Sequence, residues 1–354
     1  MAEAIAEGLR RVRPDVAAVL RPIADGGEGT VAAALRAGYR EGTATVSGPD
    51  GRPVEAVFAV DGTTAVLEMA AAAGLGLLAE KAPMTATTRG VGELLLAALD
   101  AGARRIVLGL GGSATNDGGA GLLQALGVRL LDAAGDDVGP GGAGLAALDR
   151  IDATGRDPRL DDVTVEVATD VDNPLTGPSG AAAVYGPQKG AGPEQVRELD
   201  AALARFAAVV RRDLGADLDG RPAMGAAGGT AFGIAALLTS SVTPGAGLVC
   251  DLVGLDDVLA GAALAITGEG ALDEQTLHGK APAEVAARAH AAGVPCLAVA
   301  GVVRLPGDRW RAAGLAGAHG LTEVEPDVAR CLADPAPLLA ELAGRVVPGH
   351  LPAG

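Results

Sequence analysis

The stretch Ile106-Val107-Leu108-Gly109-Leu110-Gly111-Gly112-Ser113-Ala114-Thr115-Asn116-Asp117-Gly118-Gly119-Ala120-Gly121-Leu122-Leu123 constrains the fold more than any other. The apolar run reads as a buried strand, the glycines and small hydroxyls as a loop, and the residues after Gly119 as a helix. Strand–loop–helix junctions of this kind build α/β proteins with parallel strands. The junction also aims backbone N–H groups and the positive end of a helix dipole at one point, which is an anion site. A tight turn needs one or two glycines. This loop has more, together with Ser113, Thr115 and Asn116 as side-chain donors.

Similar junctions recur along the chain. An amphipathic helix is expected over residues 2–13, where Ile5, Leu9 and Val12 share one face. A strand is expected near 17–23, then the loop Ala24-Asp25-Gly26-Gly27-Glu28-Gly29, then a helix from Thr30. Val54 to Val60 and Thr64 to Met69 flank Asp61-Gly62, a two-residue hairpin signal. Beyond the 105–110 strand, another strand is expected at 163–168 and a long helix over 194–213. Leu264 to Ile266 reads as a strand entering a loop at Thr267-Gly268-Glu269-Gly270. A helix after Pro282 and strands at 295–300 and 316–323 complete the alternation. The expected fold class is α/β with two domains. Residues 1–48 plus 262–354 form a Rossmann-like parallel-sheet domain from both chain ends, and 49–261 form an inserted mixed α/β domain.

Several motifs carry chemistry. Asp170-Val171-Asp172-Asn173-Pro174 follows a strand, and its two carboxylates suit Mg²⁺ or general-base work, although an Asx-turn before proline explains them too. Gly186-Pro187-Gln188-Lys189-Gly190 sets a lysine in a turn. Gly228 and Gly229 open a helix and read equally as an anion cradle or as close packing. Thr267 to Gly270, followed by Asp273, Gln275, His278 and Lys280, brackets a glutamate with glycines; His278 reads as a hydrogen-bonding residue rather than a metal ligand. Lys81, Lys189 and Lys280 are the only lysines in a chain otherwise supplied with arginine, and a lysine is a compact point charge suited to phosphate. Gly139 to Gly144 matches G-x-G-x-x-G, but an acidic turn precedes it and Pro140 interrupts it, so it reads as a surface loop. A P-loop signature is absent, so any nucleotide is held in another way.

Bulk properties narrow the function. The net charge of −16 argues against a nucleic-acid partner, while leaving local anion sites open. Cys250, Cys296 and Cys331 are widely spaced among apolar residues and read as buried free thiols. With no signal peptide and no apolar run of the ~18 residues a membrane span needs, the expectation is a cytoplasmic protein without membrane contact. The sequence allows a homodimer without requiring one.

Taken in order, the motifs resemble the bacterial glycerate kinase family of type 1. The matching stretches are Pro22 to Thr30, Gly111 to Gly119, Asp170 to Pro174, Gly186 to Gly190, Gly225 to Gly229, and Ile266 to Gly270 through His278-Gly279-Lys280-Ala281-Pro282. The resemblance implies two α/β domains with the active site in the cleft between them, and ATP-dependent phosphorylation of D-glycerate, commonly to 2-phosphoglycerate. Family members open with a further strand and the motif Pro-Asp-Ser-Phe-Lys-Gly-Ser. Met1 here falls within the helix that follows that strand, which suggests a misplaced start site.

On this reading Gly111, Gly112, Ser113, Ala114, Thr115, Asn116 and Gly118, with Thr267, Gly268, Glu269 and Gly270, contact phosphate and nucleotide. Lys189 and Lys280 neutralise the transferring phosphoryl or the glycerate carboxylate. Asp172 or Asp170 binds Mg²⁺, with Glu269 as competitor. Asp25 is the first candidate to orient or deprotonate the glycerate hydroxyl, and Asp117 the second. Rival readings are a kinase giving 3-phosphoglycerate or acting on another small hydroxy acid, a binding protein impaired by loss of its first strand, and, third, a nicotinamide enzyme.

Overall fold

The computed structural model describes residues 1–277 and 280–351. Its contacts separate Gly26–Gly245 from a unit made of Met1–Asp25 and the chain from Ala246 onward. The boundaries fall at 25/26 and 245/246, where the sequence suggested 48/49 and 261/262. The helix Thr30–Arg36 packs on strands of the 26–245 unit, so those residues belong with that sheet.

The 26–245 unit is built on a six-stranded mixed sheet. Its strands are β1 (Arg40–Ser47), β2 (Pro53–Asp61), β3 (Thr64–Glu68), β4 (Arg105–Gly109), β7 (Thr164–Ala168) and β8 (Thr239–Thr243), in the order β1-β2-β3-β4-β7-β8. A separate antiparallel pair is formed by β5 (Arg129–Leu131) and β6 (Arg150–Asp152). β1 and β2 are antiparallel, and the Asp61-Gly62 signal does mark the turn from β2 into antiparallel β3. From β3 to β8 every neighbour is parallel. Parallel strands covered on both faces need apolar side chains on both, which is why Ile106, Val107 and Leu108 are all buried. The helix Pro193–Leu214 buries Leu199, Leu203, Phe206 and Val210, as their spacing predicts, and Phe206 meets Phe232 edge-to-face at 5.5 Å.

The other unit carries a parallel three-stranded sheet of β9 (Ala265–Leu272), β10 (Cys296–Val303) and β11 (Gly317–Gly320), in the order β11-β10-β9. The helix Ala2–Val12 buries Ile5 and Leu9 against the helix Pro335–Val346. Cys250, Cys296 and Cys331 are buried free thiols, and burial pushes the Cys296 thiol up to about 12. No described helix is long and apolar enough to cross a membrane.

Three local expectations are corrected. Residues 17–23 are not a strand: their backbone joins no ladder, and Val19 is 60% exposed. Thr267 to Gly270 is not a loop but the middle of β9. Glycine serves there because the strands pack closely; a Cβ on Gly268 would lie 2.0 Å from the Val299 carbonyl oxygen. Gly139 to Gly144 is a surface loop only in its exposed first two residues, since Gly141–Gly144 forms a short helix with Gly141 and Gly142 buried.

Candidate active site

The register of the parallel strands brings four carboxyl ends to one edge of the sheet, Glu68 beside Gly109, Gly109 beside Ala168, and Ala168 beside Thr243. Loops at this edge of an open α/β sheet are where such folds bind ligands. The 111–119 loop leaves β4 here, and the Asp170–Pro174 segment leaves β7.

The 111–119 loop has two parts. Gly111 and Gly112 form a rim, of which Gly112 is exposed, whereas Ser113 to Gly119 is a buried limb. Asp117 holds that limb. Its carboxylate accepts the Thr88 N–H at 2.8 Å, the Thr88 hydroxyl at 2.9 Å, the Gly119 N–H at 3.1 Å and the Gly121 N–H at 3.2 Å. Thr88 in turn accepts the Leu122 N–H at 2.9 Å. The first-turn donors of the helix Ala120–Ala125 are therefore engaged from within, and its positive end is not open to a ligand as the sequence suggested. Burial raises the Asp117 pKa, opposed by these hydrogen bonds.

Lys189 lies under the same limb and is only 2% exposed. Its Nζ donates to the Thr115 carbonyl at 2.6 Å. Burial lowers its pKa to about 7, against the opposing charge of Asp117. The Thr115 hydroxyl oxygen and the Asn116 carboxamide oxygen are buried without a hydrogen-bond partner, while the Asn116 amide donates to the Pro83 carbonyl at 3.3 Å. Gly228 closes the limb from another side. Its carbonyl accepts the Gly118 N–H at 3.0 Å, and a Cβ on it would lie 1.9 Å from the Thr115 oxygen. Ala227, Gly228 and Gly229 are left-handed, so the helix proper begins at Thr230. The two glycines thus serve backbone packing.

The loop preceding Thr30 reaches the same sheet edge. The Gly111 N–H donates to the Gly26 carbonyl at 3.3 Å, and a Cβ on Gly111 would lie 2.4 Å from the Gly27 Cα. Glu68 accepts the Val31 N–H at 2.7 Å, and the Thr30 hydroxyl donates to the Gly27 carbonyl at 2.8 Å. Asp25, directly before this loop, is exposed.

Asp170 and Asp172 are both exposed. Asp170 accepts the Gly245 N–H at 2.9 Å. Asp172 and, more strongly, burial raise the pKa of the Tyr185 phenol, which donates to Asn173 at 2.8 Å. Among the described residues no three His, Cys, Asp or Glu side chains cluster to hold a metal ion. Two exposed carboxylates at a strand exit fit Mg²⁺ only in its usual manner, with substrate phosphates and water completing the shell.

In the other unit, Glu269 accepts a hydrogen bond from the buried Thr276 hydroxyl, and its second oxygen lies 3.7 Å from Lys280 Nζ. Thr267, Gly268 and Gly270 lie along the same strand. His278 lies outside the described residues. Sequence reading missed Thr88, whose place just before the helix Arg89–Asp100 is a capping signal, and Glu68, a carboxylate at a strand end.

This is a mixed α/β architecture with polar loops gathered at the carboxyl edge of parallel strands. The glycerate kinase family model matches residues 1–349. The chain is 48% identical over 307 residues to a glycerate kinase of Bacillus subtilis (strain 168), covering 85% of this chain and 80% of that protein. It is 46% identical over 306 residues to a glycerate 2-kinase of Escherichia coli (strain K12), with the same coverage of 85% and 80%. A crystal structure from Salmonella typhimurium LT2, assigned provisionally as a glycerate kinase 2, superposes with a TM-score of 0.85 at 42% identity, covering 98% of this chain and 92% of that one. The chain belongs to the glycerate kinase family. It is accordingly a phosphotransferase with an alcohol group as acceptor, for which ATP is the implied donor.

Proposed function

We propose that this chain transfers the γ-phosphoryl group of ATP to the 2-hydroxyl of D-glycerate, giving 2-phosphoglycerate and ADP. The observation that carries the reading is the convergence of the 26–29, 111–119 and 170–174 segments on one edge of the parallel strands in a member of this family. Phosphoryl transfer depends on positioning and charge neutralisation more than on covalent chemistry.

In this reading Asp25 accepts the hydroxyl proton as the substrate oxygen attacks the γ-phosphorus and ADP departs. The exposed Gly112 of the rim offers its backbone N–H to phosphate, while the Gly111 N–H is held by the Gly26 carbonyl. Thr267, Gly268, Glu269 and Gly270 serve the nucleotide, and Lys280 carries the neutralising positive charge. Asp170 and Asp172 would hold Mg²⁺, which offsets phosphate charge when bound. Asp117, with its carboxylate engaged by four donors, supports the loop rather than moving a proton.

The test is turnover of D-glycerate with ATP and Mg²⁺, with the product identified by NMR. 2-Phosphoglycerate is expected. Formation of 3-phosphoglycerate would overturn the choice of hydroxyl, and absence of turnover by the folded chain would overturn the reading itself.

A further inference from the structure

The Thr115 carbonyl is boxed in. Lys189 Nζ donates to it at 2.6 Å, and Gly228 approaches it so closely that a Cβ there would lie 1.9 Å away. The lysine is itself held in place. It ends the short helical turn Pro187–Lys189, its N–H donates to the Gly186 carbonyl at 3.0 Å, and the neighbouring Gln188 carbonyl accepts Lys81 Nζ at 2.7 Å. A lysine that is 2% exposed and aimed at a main-chain oxygen is turned away from anything in solvent. Asp117 works in the complementary sense, as an acceptor for main-chain and hydroxyl donors around the same limb. Two buried side chains of opposite charge type thus hold this limb, Lys189 gripping the Thr115 carbonyl and Asp117 tying the limb to the N–H groups of Thr88, Gly119 and Gly121.

We propose that Lys189 is a positioning residue for phosphoryl transfer: it fixes the Thr115 peptide, and through it the rim Gly111–Gly112, without touching substrate. This rests on the kinase reading above and replaces the direct phosphate contact that the lysine-in-a-turn motif suggests. The ammonium acts as a hydrogen-bond donor, so its positive charge is not what the reaction needs from it. A neutral donor of similar reach should therefore do much of the work.

The experiment compares Lys189→Gln, which keeps a neutral N–H donor one bond shorter, with Lys189→Met, which matches glutamine in length and has no donor. Hydrogen exchange of the 113–119 peptide is measured in the full chain beside steady-state kinetics. Lys189→Met should raise exchange there by about tenfold or more and lower kcat by about 100-fold, while KM for glycerate changes by no more than about threefold. Lys189→Gln should keep near-native exchange and kcat within about tenfold of the parent. Equal loss of kcat in both variants at native exchange would overturn the proposal, because it would mean the charge acts on the ligand. No change in either variant would overturn it as well. If Lys189→Met fails to fold, Lys189→Gln decides alone: kcat within about tenfold supports the proposal, and a loss above about 100-fold at native exchange refutes it. If the parent chain does not phosphorylate glycerate, the kinase reading falls, and the exchange comparison still decides whether Lys189 anchors the limb.

Discussion

Glu68, the last residue of β3, accepts the main-chain N–H of Val31 at 2.7 Å, so a central strand of the sheet caps the helix Thr30–Arg36. The carboxylate meets the positive end of that helix and fixes how the 26–29 loop enters it. Glu68→Ala should lower stability by about 1 kcal/mol, the usual effect of losing a cap. Glu68→Gln, which keeps an acceptor, should lose less. Urea unfolding midpoints of the two variants check this, and equal loss in both would show that the bond to Val31 is not what matters.

Asp117 should be far less tolerant. An amide in its place would turn one NH₂ group toward N–H donors, leaving buried groups unpaired. Asp117→Asn is expected to cost about 2–3 kcal/mol. Chemical denaturation reads the loss directly. A variant as stable as the parent would mean that the four hydrogen bonds contribute little.

The burial of Lys189 gives stability a pH signature. Its pKa falls from the ordinary lysine value of 10.5 to about 7 in the folded chain, because burial disfavours the charged form. Between those values the unfolded chain binds more protons, so the contribution of this lysine to stability rises with pH. Below about pH 7 both states hold the proton and the full cost of burying the charge applies. The stability of the parent relative to Lys189→Met should therefore increase from about pH 7 toward about pH 10. Paired urea midpoints across that range test it, and a difference independent of pH refutes it.

Asp25 is exposed, so its removal should leave stability within about 0.5 kcal/mol of the parent. As the proposed acceptor of the hydroxyl proton, it should matter for turnover: Asp25→Ala is expected to lower kcat by at least about 100-fold. Kinetics and melting temperature measured on the same preparation separate the two effects. An unchanged kcat removes Asp25 from the mechanism.

Some of this was readable from residue order and some was not. The β4–loop–helix junction and the hairpin at Asp61-Gly62 carry strong local signals, and both elements form where those signals place them. Residues 17–23 are apolar enough for a strand, but a strand needs a partner, and partnership is not a local property. Thr267 to Gly270 misleads for the opposite reason, since glycine marks close strand packing as readily as a loop. Lys189 and Asp117 stand in motifs that suggest chemistry with a ligand. Their burial, and the main-chain groups they face, arise from segments far apart in sequence and could not be read from spacing.

Where Gly26 and Gly27 meet Gly109 and Gly111, the contact is main chain against main chain, and a Cβ on Gly111 would come within 2.4 Å of the Gly27 Cα. A junction without side chains has no room to acquire one. A change in what these loops bind has room only at exposed flanking positions such as Asp25 and Glu28, because a side chain at the seam would force the two loops apart.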